Sequence, residues 1–139
     1  MSLKIEDLMI NDLVLHNSRP EKVEKGILRE LILDTSPYFR IKDYLPIPLT
    51  REILEKNGFV RSKYIERYTK LYNHFEVNVD FVHNEIMIHR ANDVDTKDIF
   101  MEGMYFDCEV AFECQIQVHQ LQHIMRLAGL NELADNLKV

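Results

Sequence analysis

The chain has 139 residues, 46% of them hydrophobic, which suits one folded domain with a real core. It has no run of about 18 apolar residues, so neither a transmembrane helix nor a membrane partner is expected, and without a secretory stretch the cytoplasm is the expected location. A net charge of −6 disfavours phosphate backbones as default partners, and two cysteines in a cytoplasmic chain imply free thiols.

In chain order, Ile5 to Met9 reads as a short turn or helical start and Asp12 to His16 as a short strand. Asn17 to Glu21 reads as a turn, because Asn and Ser bond nearby backbone and Pro20 fixes φ. Val23 to Leu33 is then expected to be a second strand, with Gly26 at a bulge. Asp34-Thr-Ser-Pro37 breaks that pattern. Tyr44 to Thr50 is extended, since Pro46 and Pro48 and the residues before them avoid helix. Thr50 caps a short central helix over Arg51 to Asn57, Leu49 and Leu54 form a hydrophobic staple across the cap, and Gly58 ends the helix left-handed with Phe59 folding back.

A run of strands follows. Tyr64 to Tyr72 is aromatic-rich. Phe75 to Phe81 alternates cleanly, which predicts a strand buried on one face. His83 to Glu85 turns the chain and Ile86 to His89 returns it. Asn92 to Asp98 is a polar loop. Ile99 to Met101 and Met104 to Val118 are expected to pair as a hairpin about Glu102-Gly103. From His119 the period becomes helical, with Leu121, Ile124, Met125 and Ala128 on the apolar side and Gly129 at the end. Leu130, Leu133 and Leu137 suggest a last turn or two. The sum is an α+β fold: an antiparallel β meander with a small N-terminal β unit, a short central helix, and a C-terminal helix packed on the sheet. The expected organisation is a single domain, 1–139, with the N-terminal unit over about 1–45 and the remainder from 46 to 139.

Charge is uneven. Ten carboxylates between Glu76 and Glu113 stand against Arg90 and Lys97 alone, whereas Arg61, Lys63, Arg67 and Lys70 outnumber Glu66. Those four cations, interleaved with Tyr64, Tyr68, Tyr72 and Phe75, are the candidate nucleic-acid segment, since bases stack on aromatic rings beside cations. Core or interface packing is the plainer use of the same aromatics.

The chemical candidates are few. His119 and His123 lie four apart on a helix, so both imidazoles share a face that a metal ion could join. A hydrolytic H-E-x-x-H site needs a general base where this chain has Gln120, which cannot titrate. Cys108 and Cys114 complete a C-x5-C-x4-H-x3-H spacing. Six residues of extended strand span about 20 Å, too far for both thiols to reach one zinc. Both cysteines are therefore expected as small core residues. Asp93-Val-Asp95-Thr-Lys-Asp98 resembles the start of a calcium loop, but Lys97 takes a ligand position, no Gly stands sixth, and Met104 stands where a bidentate Glu is needed. No Gly-rich phosphate loop and no G-x-S-x-G elbow occur, and nothing selects a catalytic pair among the carboxylates. No cofactor and no catalytic residue are expected.

Three stretches carry a resemblance: Ile5-Glu-Asp-Leu-Met-Ile-Asn-Asp-Leu-Val14, Pro46-Ile-Pro-Leu-Thr-Arg-Glu-Ile-Leu-Glu-Lys-Asn-Gly-Phe59 and Val118-His-Gln-Leu-Gln-His-Ile-Met-Arg-Leu-Ala-Gly-Leu130. In this order they resemble a family of small uncharacterised bacterial proteins often found in prophages and other mobile elements. The resemblance implies a shared fold and no catalytic residues. The expectation is a non-enzymatic module that binds a protein partner or self-associates. Its rivals are a nucleic-acid accessory protein using the 61–70 segment and a metal-binding protein at His119 and His123.

Overall fold

A computed structural model describes residues 2–63, 66–90 and 107–139. The expected 92–98 loop, the calcium-like residues, the hairpin about Glu102-Gly103, and Tyr64 lie outside that set. The described residues form two antiparallel sheets and several helices, the α+β architecture read from the sequence.

The N-terminal sheet has the order β2-β1-β3, built from β1 (Leu13–His16), β2 (Arg19–Lys22) and β3 (Tyr44–Pro46). Asn17 and Ser18, both at positive φ, form a two-residue turn of the primed kind, whose twist matches the strands it joins. The chain thus turns earlier than expected, and Pro20 sits inside β2. That strand is an edge, where a missing N–H is tolerated.

The expected strand over Val23 to Leu33 is a helix, α1 (Lys25–Leu33). Its inward residues Ile27, Leu28 and Leu31 follow helical spacing and pack in one small cluster with Leu3, Leu8, Val14, Val23 and Tyr44. Gly26 is accordingly a helical residue, and no bulge exists there. Asp34 ends α1 at φ 50, its N–H bonded to the Glu30 carbonyl at 2.9 Å.

The local device at the middle of the chain forms as read. Thr50 Oγ1 accepts the Ile53 N–H at 3.3 Å and caps α2 (Arg51–Lys56). Gly58 has φ +83, and Phe59 N–H returns to the Leu54 carbonyl at 3.0 Å. Asn57 then grips the chain end, its amide donating to the Lys138 carbonyl at 2.7 Å and its Oδ1 accepting the Lys138 N–H at 2.8 Å.

The main sheet is a meander, β4-β5-β6-β7-β8, made of β4 (Val60–Arg61), β5 (Arg67–Tyr72), β6 (Phe75–Asp80), β7 (Glu85–Arg90) and β8 (Asp107–Ala111). Tyr68, Val77, Val79, Ile86 and Ile88 line its core face, over which α3 (Val118–Leu127) lays Leu121 and Met125. The strand at Phe75 to Asp80 is not buried on one face alone. Asn78 and Asp80, on its polar side, are also buried, Asn78 through a 2.6 Å bond from Thr69 Oγ1 on the next strand. Asp80 is held below the usual carboxylate range. Burial alone would raise it, but the His83 side chain and the His83 and Val82 backbone N–H groups all donate to it and outweigh burial.

The expected long strand to Val118 ends at Ala111, because its neighbour β7 begins at Glu85 and offers nothing further to pair with. Phe112 N–H instead bonds the Asn84 carbonyl at 2.8 Å. Residues 116–118 then run back along 47–49, with Leu49 N–H to Ile116 O at 2.9 Å and Val118 N–H to Ile47 O at 2.8 Å. The last helix, α4 (Asn131–Asp135), packs Ala134 into the main core behind the left-handed Gly129.

Two glycine substitutions should move stability in opposite directions. A Cβ at Gly58 would sit at positive φ and 3.3 Å from Lys70 Nζ, so Gly58→Ala is expected to cost about 1 kcal/mol. A Cβ at Gly26 meets nothing within 4 Å, so Gly26→Ala should add about 0.5–1 kcal/mol by favouring the helix. Melting curves followed by circular dichroism would show both, and a lowered melting temperature for Gly26→Ala would contradict the helical assignment.

Candidate functional site

The sequence directs attention first to α3. Its start is fixed by Gln120, whose Oε1 accepts the Gln117 N–H at 2.8 Å. The residue that replaces the metalloprotease Glu is therefore a helix cap. His119 is buried, and its Nδ1 has no hydrogen-bond partner. One turn on, the His123 ring stands nearly perpendicular to it, with centroids 5.5 Å apart. Its Nε2 lies 2.6 Å from Oδ2 of Asp12, a carboxylate with no exposed surface. Arg126 meets the other oxygen of Asp12 at 2.5 Å, and the Met9 N–H donates to Oδ2 at 2.8 Å. A second contact of Arg126 reaches Asp135 at 3.4 Å. Gln122, fully buried, accepts the Leu13 N–H at 2.8 Å and donates to the carbonyls of Asn11 and Ala134.

Sequence reasoning missed Asp12, Gln122 and Arg126. The spacing of His119, Gln122, His123 and Arg126, three and four apart on one helix side, was the available signal. The four make a polar stripe that docks the segment before β1. The two cysteines do not join it. Cys108 lies half-buried on the core face of β8, while Cys114 is exposed beyond the strand end, which corrects its expected core position. No group of three or more metal-binding side chains converges among the described residues. The stripe thus meets a fully buried carboxylate with partly covered partners, and its hydrogen bonds are satisfied on the Asp12 side, an arrangement that fixes orientation.

The second candidate, the 61–70 segment, is divided by the fold. Arg61 pairs with Glu66 at 2.6 Å, Arg67 approaches Asp80 at 3.6 Å, and Lys70 donates to the Asn57 carbonyl at 2.5 Å; Lys63 is exposed. Tyr68 is a core residue and offers no stacking face.

The third feature was hidden by the strand reading of Val23 to Leu33. On the outward side of α1, Ile32 and Leu33 are 61% and 54% exposed, and Ile10, 45% exposed, lies beside them. With Leu28 these residues line an open trough of about 480 Å³. Lys25 and Arg29 complete its rim, and no acidic residue lines it. No family model, curated protein or solved structure matches this chain.

Two outcomes follow for the α3 stripe. Asp12→Ala leaves the largely covered Arg126 without its main carboxylate and is expected to cost about 3–5 kcal/mol, whereas Glu76→Ala, at the half-exposed His89 pair, should cost about 0–1 kcal/mol. Denaturant titration of both variants measures this directly, and equal losses would refute the structural role of Asp12. His119 supplies the pH dependence. Burial pushes its imidazole below the ordinary 6.5, an effect His123 reinforces and Asp12 opposes. As pH falls the unfolded chain takes the proton first. The stability tied to neutral His119 is therefore present above pH 6.5 and is lost as pH falls from there through the depressed folded value. His119→Leu should flatten the melting-temperature profile over that window, and an unchanged slope would assign the effect elsewhere.

Proposed function

We propose that this chain is a protein-interaction module without catalytic activity, working in the cytoplasm, of the mobile-element kind its sequence resembles. Its docking surface is the outward face of α1. The observation that supports this reading is the contrast between the two sides of one short helix. The inward side is in the small core, and the outward side keeps Ile32 and Leu33 in water next to Ile10. Exposed apolar side chains gathered beside cations are what a small interaction surface needs. Cys108 and Cys114 are not joined in a disulfide, which suits a reducing compartment. A nucleic-acid role draws less support, because three of its four cations already have partners within the fold.

A photoreactive benzoylphenylalanine at position 32, compared with one at position 82, tests the reading in the protein's own host. Val82 is equally exposed but lies on the turn after β6. A discrete adduct heavier than the chain is expected from position 32 and none from position 82. Ile32 lies outside the core, so the variant should melt within a few degrees of the parent. Absence of any adduct from position 32 would overturn the proposal.

A further inference from the structure

The occupant of the α1 face can be argued from its charge. In a chain of net charge −6, the trough lined by Ile10, Leu28, Ile32 and Leu33 carries Lys25 and Arg29 and no carboxylate. Among the described residues neither cation is in an ion pair. Lys25, Arg29 and Ile32 follow one another at helical spacing along the outward side, so charge and apolar surface run together along the helix axis. Gly26 leaves the backbone bare at one end of the trough, where nothing stands within 4 Å of a would-be Cβ.

A second copy of the chain is a poor fit. Arg29 is the midpoint of Lys25–Leu33, so an antiparallel two-fold pair of α1 helices sets Arg29 against its own copy. A parallel pair sets both Lys25 and Arg29 against themselves. Like charges facing each other work against either pairing. A bilayer is also a poor fit. The surface is a trough that receives protruding side chains, whereas a bilayer offers a broad face that cannot enter it. Resting on the interaction reading above, we propose that the trough binds an acidic amphipathic helix of a different protein. Its apolar residues would fill the space between Ile10 and Ile32, and its carboxylates would meet Lys25 and Arg29. The nine residues of α1 span about 13 Å, so the contact involves about two turns of the partner and is weak and exchangeable.

The test uses the full chain and three probes: a synthetic helical peptide with leucines on one face and glutamates on the other, its lysine counterpart, and phosphatidylglycerol vesicles. Fluorescence anisotropy is expected to show the Leu/Glu peptide binding at least about tenfold more tightly than the Leu/Lys peptide, and losing affinity as salt rises. The double variant Lys25→Glu, Arg29→Glu should reverse that preference, and Ile32→Ser, Leu33→Ser should weaken both peptides. All four positions are exposed, so unchanged melting curves will show that the variants are folded. The inference is overturned by equal affinity for the two peptides, by a preference that survives charge reversal, by no binding of the Leu/Glu peptide, or by tighter binding to the vesicles. A photo-adduct from position 32 alongside any of these results would sink the partner chemistry and leave the interaction reading standing. A position-32 adduct with the mass of two chains would do the same.

Discussion

Asp12 is the constraint on which the arrangement of this molecule depends. A carboxylate with no exposed surface is tolerated only when its charge and lone pairs are met, and here an arginine, a histidine and a backbone N–H do so. Its partners come from the turn before β1 and from the second half of α3, the latter more than a hundred residues away. Gln122 adds two further bonds between the same segments, to Leu13 and Asn11, and a third to the Ala134 carbonyl of α4. Such a junction adds less net stability than apolar packing of the same volume would. Its worth lies in direction: the bonds are made in one orientation of α3 against the N-terminal segment, and any other orientation strands a buried charge.

β1 carries the consequence into the packing. Its side chains alternate, and the structure uses both sides. Leu13 and Leu15 face the main core beneath α3, whereas Val14 faces the smaller cluster under α1. One short strand therefore forms the wall between two apolar clusters, and the clamp on Asp12 fixes its position. The bridge of 47–49 to 116–118 secures the main-core side a second time, through backbone bonds that need no particular side chains.

What could be read from the sequence follows from how local each interaction is. The α2 device was legible because Thr50, Leu54, Gly58 and Phe59 act on one another within ten residues. The pairing of β6 with β7 was legible because alternation and a close turn suffice. The end of β8 was not, because the alternation of Cys108 to Val118 continues past the point where β7 can pair; a strand's length is set by its neighbour. The α3 histidines were legible as residues and not as a junction. Their partner Asp12 lies at the far end of the chain, and no local pattern marks a carboxylate as buried.

The misreading of Val23 to Leu33 has the same root and a functional consequence. Five of the nine residues of α1 are apolar: Ile27, Leu28, Leu31, Ile32 and Leu33. As a strand they would divide between two faces, each with something to bury, and no surplus would be apparent. As a helix, a stripe of roughly three residues in seven is enough to hold it against a core. Ile27, Leu28 and Leu31 supply that stripe, which leaves Ile32 and Leu33 on the water side, where folding alone gives them no use. The same turn of geometry brings Lys25 and Arg29 beside them. The candidate surface therefore comes into view only once the element type is known, because its outermost apolar residues on α1, Ile32 and Leu33, are those the helix does not need for its own packing.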